Sequence, residues 1–141
     1  MKCSDILGEA IFQAGWNIKK AEVHGMSQRG GSVACDIRFA KDEPVLSPMV
    51  PSGQADYLLV LSDDQIENNR HHLKEGGVLL TPDRIDVEKL ENARSLNVAL
   101  LGVLSKEFEI AENIWHDAIR SQLAEKLHDV NISAFEYGRN N

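Results

Sequence analysis

The segment His24-Gly25-Met26-Ser27-Gln28-Arg29-Gly30-Gly31 is the one stretch where polar side chains and glycines are grouped for something other than packing. Glycines at 25, 30 and 31 let the backbone turn sharply and present its N–H groups. Ser27, Gln28 and the planar fork of Arg29 add donors suited to a carboxylate or phosphate. The same residues also make a plain strand-to-strand turn, with Arg29 paired to a carboxylate elsewhere in the fold or on a neighbouring subunit. His24 can act as a general base, as a partner for an anion held by Arg29, or as a hydrogen-bonded residue that ends a strand. No Walker-type loop and no Gly-x-Gly-x-x-Gly fingerprint accompanies them. The candidate contact residues are His24, Ser27, Gln28, Arg29, Gly30 and Gly31, to a partner or to an anion.

The remaining titratable residues form no catalytic set by spacing. His71 and His72 are adjacent, so on a helix they point about 100° apart and do not clamp one metal. His116 and His128 lie twelve apart on one expected helix, too far for a shared site. The two cysteines, Cys3 and Cys35, match no metal spacing. An iron–sulfur cluster normally takes four such ligands, so this chain alone is expected to hold neither cluster nor metal. Cys35 falls on the apolar face of a strand, where an inert buried thiol is the default. Asp63-Asp64 reads as helix capping rather than acid–base machinery.

Hydrophobic periodicity supplies the scaffold for these residues. Ser4 or Asp5 caps a helix with Ile6, Leu7, Ala10, Ile11 and Ala14 on one face and Gly15 as its stop. Residues 16–23 favour a strand, and 32–39 alternate cleanly, with Val33, Cys35, Ile37 and Phe39 on the apolar face. Pro44, Pro48, Pro51 and Gly53 make residues 41–54 a surface loop. The apolar run 57–61 reads as a buried strand. A polar helix follows from Ser62 or Asp63 to Leu73, closed by Gly76-Gly77, and residues 78–80 form a second buried strand. That makes a right-handed parallel βαβ unit. Residues 96–104, apolar but for Asn97 and Gly102, are longer than a typical strand, which favours a buried helix, although periodicity alone also allows a strand. Ile110, Ile114, Trp115, Ala118, Ile119, Leu123 and Leu127 predict one long amphipathic helix, and the tail from 131 a last short one.

Composition narrows the class. A chain of 141 residues with 43% hydrophobic and 26% charged residues fits one globular domain that needs no disulfide. The net charge of −7 argues against a nucleic-acid partner, which would draw Lys and Arg to one face. No run approaches the ~20 apolar residues of a membrane span, and the start lacks a signal pattern. Two cysteines without pairing agree with a reducing, cytoplasmic setting.

Three strings carry a resemblance to a known family: residues 22–33 (Glu-Val-His-Gly-Met-Ser-Gln-Arg-Gly-Gly-Ser-Val), residues 73–78 (Leu-Lys-Glu-Gly-Gly-Val) and residues 97–102 (Asn-Val-Ala-Leu-Leu-Gly). The chain resembles the gamma subunit of the 2-oxoacid:ferredoxin oxidoreductases, and among these the indolepyruvate type, whose corresponding chain is called beta. The resemblance implies an α/β fold, a three-layer α/β/α domain over residues 1–141 with a mostly parallel central sheet. It also implies one component of a complex that decarboxylates aryl or other 2-oxoacids to an acyl-CoA while reducing ferredoxin. Thiamine diphosphate, magnesium, iron–sulfur clusters and CoA would belong to the complex, with no cofactor held by this chain alone. Its partner would be the thiamine-binding catalytic subunit, with ferredoxin reached indirectly, a homodimer when isolated, and no activity by itself. Residues 27–31 would contact the catalytic partner or its ligand. The rival readings are a free-standing anion- or nucleotide-binding module and a homo-oligomeric scaffold.

Two departures from the family pattern stand out. Members usually begin with a strand and a Gly-x-Gly-Gly-Gln-Gly turn ahead of the first helix, and they carry a longer connection where residues 86–95 stand here. Losing a first central strand would leave backbone groups of both neighbours unpaired. Either the chain is genuinely abridged or those segments lie outside this sequence; the expectation is the latter, a protein with a mass well above 15.7 kDa, and a mass that agrees with 15.7 kDa would favour the former.

Overall fold

The computed structural model describes residues 2–24 and 33–141, excepting the side chains of Val23, His24 and Val33. Helix α1 (Lys2–Gln13) buries Cys3, Ile6, Leu7, Ala10 and Ile11. It starts ahead of the expected Ser4 or Asp5 cap, and Asp5 is engaged in an ion pair with Lys20 instead. Its end matches expectation. Gly15 has φ +84°, Gly15 N–H donates to the Phe12 carbonyl and Trp16 N–H to that of Ile11. These two bonds satisfy carbonyls at the helix end, and the left-handed turn they need suits a residue without Cβ.

Strands β1 (Asn17–His24) and β2 (Val33–Ala40) pair antiparallel, from Asn17 opposite Ala40 to His24 opposite Val33. Ile37 and Phe39 pack on the core as the alternation predicts. The proline-bearing stretch 41–54 is a loop, held to β2 where Val50 N–H donates to the Asp36 carboxylate. β3 (Ala55–Leu59) and β4 (Leu73–Leu80) form a parallel pair, so the βαβ unit is present.

Its connection differs from the expected helix. A 3-10 turn, the single α-turn α2 (Ile66–Asn69) and a second 3-10 turn fill residues 63–72, and β4 begins at Leu73. Gly76 and Gly77 therefore lie within a strand rather than closing a helix. Gly76 has φ +80° at a register shift, and a Cβ on Gly77 would come 3.1 Å from the Ala55 carbonyl oxygen. The glycines serve a bulge and a close backbone approach.

Among the described residues there are two separate two-stranded sheets, one antiparallel and one parallel. This corrects the expectation of a mostly parallel central sheet. The short connection 25–32 makes β1 and β2 a hairpin, and consecutive strands joined so closely pair antiparallel.

The helices cover the core. α3 (Leu96–Ser105) is the expected buried helix, with residues Val98 through Ser105 all inaccessible. α4 (Glu112–Gln122) is amphipathic and packs on α1. The expected single helix to Leu127 is interrupted, because Leu123 and Ala124 are extended. His128 Nε2 donates to the Leu123 carbonyl at 2.8 Å, taking an acceptor at the end of α4. The expected short tail helix is instead α5 (His128–Arg139), which crosses α3 at backbone contact. A Cβ on Gly138 would stand 1.8 Å from the Ala99 carbonyl oxygen, and one on Gly102 2.2 Å from that of Phe135. Arg139 seals the crossing by donating to the fully buried Ser105 hydroxyl at 2.8 Å.

Phe108, in the α3–α4 connection, joins both sheets to the helices. Its ring lies 5.2 Å from Phe39 and 5.2 Å from Tyr57, both edge-on, and 6.4 Å from Trp16. Edge-to-face contacts of this kind add to the area each ring buries.

Candidate functional site

The hairpin positions the segment singled out in the sequence. His24 ends β1 opposite Val33, as expected of a histidine closing a strand, so residues 25–32 connect the far ends of β1 and β2. Ser27, Gln28, Arg29, Gly30 and Gly31, and the His24 side chain, lie outside the described residues. The base of the hairpin is well anchored. Trp16 meets Phe39 at 5.9 Å, Asn17 donates to the Glu43 carbonyl at 2.8 Å, and Lys20 reaches Asp5 at 2.6 Å. That hydrogen bond from Lys20 holds the Asp5 carboxyl below its ordinary value.

The two thiols do not fit a cluster. Cys3 is buried at the start of α1, and burial pushes its thiol up to about 12. Cys35 is only half-buried, which corrects the expectation of a buried thiol; partial burial still raises it. The sequence placed these cysteines 32 positions apart. The fold brings them within electrostatic reach of one another. Thiols held in the neutral form are poor nucleophiles and poor ligands.

His71 and His72 depart from the expected splay. They sit in a 3-10 turn with ring centroids 4.0 Å apart.

The constellation that sequence reasoning missed lies between α4 and α5. His116 and Glu112 are one helical turn apart, with His116 Nε2 3.8 Å from Glu112 Oε1. Glu136 on α5 brings Oε1 into direct contact with the same ring nitrogen. All three ligand-type atoms lie within 4.8 Å of one another. The Glu112 carboxyl is pushed up, first by its hydrogen bond to Glu136, and Glu136 is pushed down as the acceptor. Phe135 sets the imidazole edge-on at 6.2 Å. The Glu112/His116 spacing was visible in the sequence, but Glu136 is distant along the chain and joins them only because α4 breaks and α5 folds back.

Residues 1–87 match the family described as pyruvate ferredoxin/flavodoxin oxidoreductase. The chain belongs to that family. Across nearly its full length it is similar to indolepyruvate oxidoreductase subunit IorB of Thermococcus kodakarensis, 33% identical over 180 positions covering 98% of this chain and 87% of the relative. The same subunit of Pyrococcus horikoshii is 31% identical with the same coverage. A match of 180 positions to a chain of 141 residues means that these relatives carry internal residues with no counterpart here.

Solved structures agree in fold. The gamma subunit of a keto/oxoacid ferredoxin oxidoreductase from Geobacter sulfurreducens superposes with a TM-score of 0.78 at 22% identity, covering 98% of this chain and 88% of that one. A 2-oxoglutarate:ferredoxin oxidoreductase from Magnetococcus marinus gives 0.77 at 20% identity, covering 99% of this chain but 28% of the other. There the same α/β unit is part of a much longer chain.

Proposed function

We propose that the chain is the small, gamma-type subunit of an aryl-pyruvate (indolepyruvate):ferredoxin oxidoreductase, with residues 1–141 acting as one domain of the complex. The observation that carries this reading is the 33% identity to an indolepyruvate oxidoreductase subunit along 98% of the chain. Decarboxylation of the 2-oxoacid to an acyl-CoA, with electrons passed to ferredoxin, then takes place on partner subunits that hold thiamine diphosphate, magnesium and the iron–sulfur clusters. Two cysteines, one buried and both held as neutral thiols, do not fit a cluster, so no electron-transfer step is assigned to this chain. Among the described residues no helix is long and apolar enough to cross a membrane, which suits the proposed cytoplasmic setting.

The chain's own contribution is assembly. The segment from His24 through Ser27, Gln28, Arg29, Gly30 and Gly31 is the proposed contact to the catalytic partner, or to an anionic ligand seated there. The anchored hairpin base supports this by offering a fixed platform for that segment. Leu46 and Met49 lie exposed in the loop beside the same base. These large apolar side chains, at the end of the strands away from that segment, suit a further surface that is covered on assembly.

Anaerobic reconstitution with the thiamine-binding subunit tests the reading. Ferredoxin reduction by an aryl pyruvate is expected to require this chain. Arg29→Ala is expected to lower it by about tenfold, the weight of ~1.4 kcal/mol, with an unchanged melting temperature. Activity that does not depend on the chain would sink the proposal. Micromolar binding of CoA or nucleotides by the isolated chain would favour a binding module instead.

A further inference from the structure

We propose that Glu112, His116 and Glu136 form a binding site for a divalent first-row cation of the zinc type, bridging α4 and α5. The three side chains present one imidazole nitrogen and two carboxylates to a common point, with their ligand atoms within 4.8 Å of one another. Around a tetrahedral metal with bonds near 2.1 Å, ligand atoms stand about 3.4 Å apart. His116 Nε2 and Glu112 Oε1, at 3.8 Å, need to close only slightly, and the direct His116–Glu136 contact needs to open. Both are side-chain adjustments that leave the helices in place.

The donor set decides the class of ion. Imidazole with carboxylates suits zinc and its neighbours, whereas calcium and magnesium favour all-oxygen shells. Two carboxylates also balance a charge of +2. Without a cation, the two carboxylates, with ligand oxygens within 4.8 Å of each other, lie closer than like charges favour, and a cation between them would relieve that repulsion. Side-chain exposures of 46% for Glu112 and 32% for Glu136 leave a path for the ion and room for water in the fourth position.

The site is independent of the oxidoreductase assignment. It lies about two helical turns along α4 from the interruption at Leu123–Ala124, where the chain folds back, so an ion bound there would fasten α5, and through it α3, to α4.

Titration of the full chain with zinc chloride by calorimetry tests this, with cobalt absorption as a second readout. Expected are one equivalent bound at micromolar zinc, tetrahedral cobalt bands, and a rise in melting temperature with either metal. Glu136→Gln and His116→Gln are expected to abolish all three. Should either variant fold poorly, Glu112→Gln, at an exposed position, is expected to weaken binding at least tenfold with its circular dichroism unchanged. His71→Gln/His72→Gln is expected to bind as wild type. No stoichiometric binding at micromolar zinc, wild-type affinity in folded Glu112→Gln, or loss of binding in the His71/His72 variant would each overturn the site.

Discussion

Two of the segments that resemble the family differ in what their residues demand. Residues 97–102 lie in α3, where Ala99 and Gly102 are pressed against α5 so closely that neither glycine of the crossing has room for a Cβ. Residues 22–33 span a hairpin whose base is anchored and whose connecting sequence carries glycines and polar donors in place of an apolar pattern. Packing explains the first. The composition of the second suits the contact role proposed for it as well as a plain strand-to-strand turn.

The comparison breaks most sharply at the crossing. Gly102→Ala and Gly138→Ala each drive a methyl into a carbonyl, an overpacking cost of about 3 kcal/mol apiece, so the double variant should fail to fold at 37 °C. Denaturant unfolding followed by circular dichroism measures it, and near-additive small losses would contradict the close approach. Phe108→Ala comes next, at about 3 kcal/mol. Because Phe108 touches Phe39 and Tyr57, amide exchange should rise in β1 to β4 more than in α3 and α5. Uniform acceleration would show that the ring does not join the sheets to the helices.

Two smaller effects sharpen the hairpin side. Gly15→Ala places a Cβ at φ +84° and should cost about 1 kcal/mol without changing the hairpin's exchange rates. Lys20→Met should cost less than about 1 kcal/mol, as befits a partly exposed ion pair. Asp5 is held low by Lys20, so its contribution is present above the unfolded carboxyl value and is lost as pH falls through the folded one. The stability gap between wild type and Lys20→Met should thus be full at pH 7, begin to shrink at about pH 4 and vanish only once pH has fallen through the lowered folded value. A gap that widens with acid would contradict the pairing.

Legibility in the sequence followed the range of the interactions. The parallel βαβ unit, the alternation of Ile37 and Phe39, the buried helix at 96–104 and the Gly15 stop all follow from local period or local backbone demand. The interruption after Gln122 did not show, because the apolar spacing from Ile110 to Leu127 runs across it and neither Gly nor Pro marks the place. His128 takes the Leu123 carbonyl just past the end of α4, a contact that exists only after the chain turns. The same turn hid Glu136. The hairpin is signalled locally by the eight-residue link between its strands, whereas a mostly parallel sheet follows only from the family resemblance.

The crossing of α3 and α5 also bears on biosynthesis. α3 is almost wholly apolar and its cover comes later in the chain, so about 30 residues must still be made after α3 leaves the ribosome before α5 can seal it, some seconds at usual rates of synthesis. During that interval the apolar run from Leu96 to Leu104 lacks its α5 cover. Chaperone demand should therefore fall abruptly once Gly138 and Arg139 have been added, and premature termination within α5 should yield insoluble product rather than a merely weakened subunit.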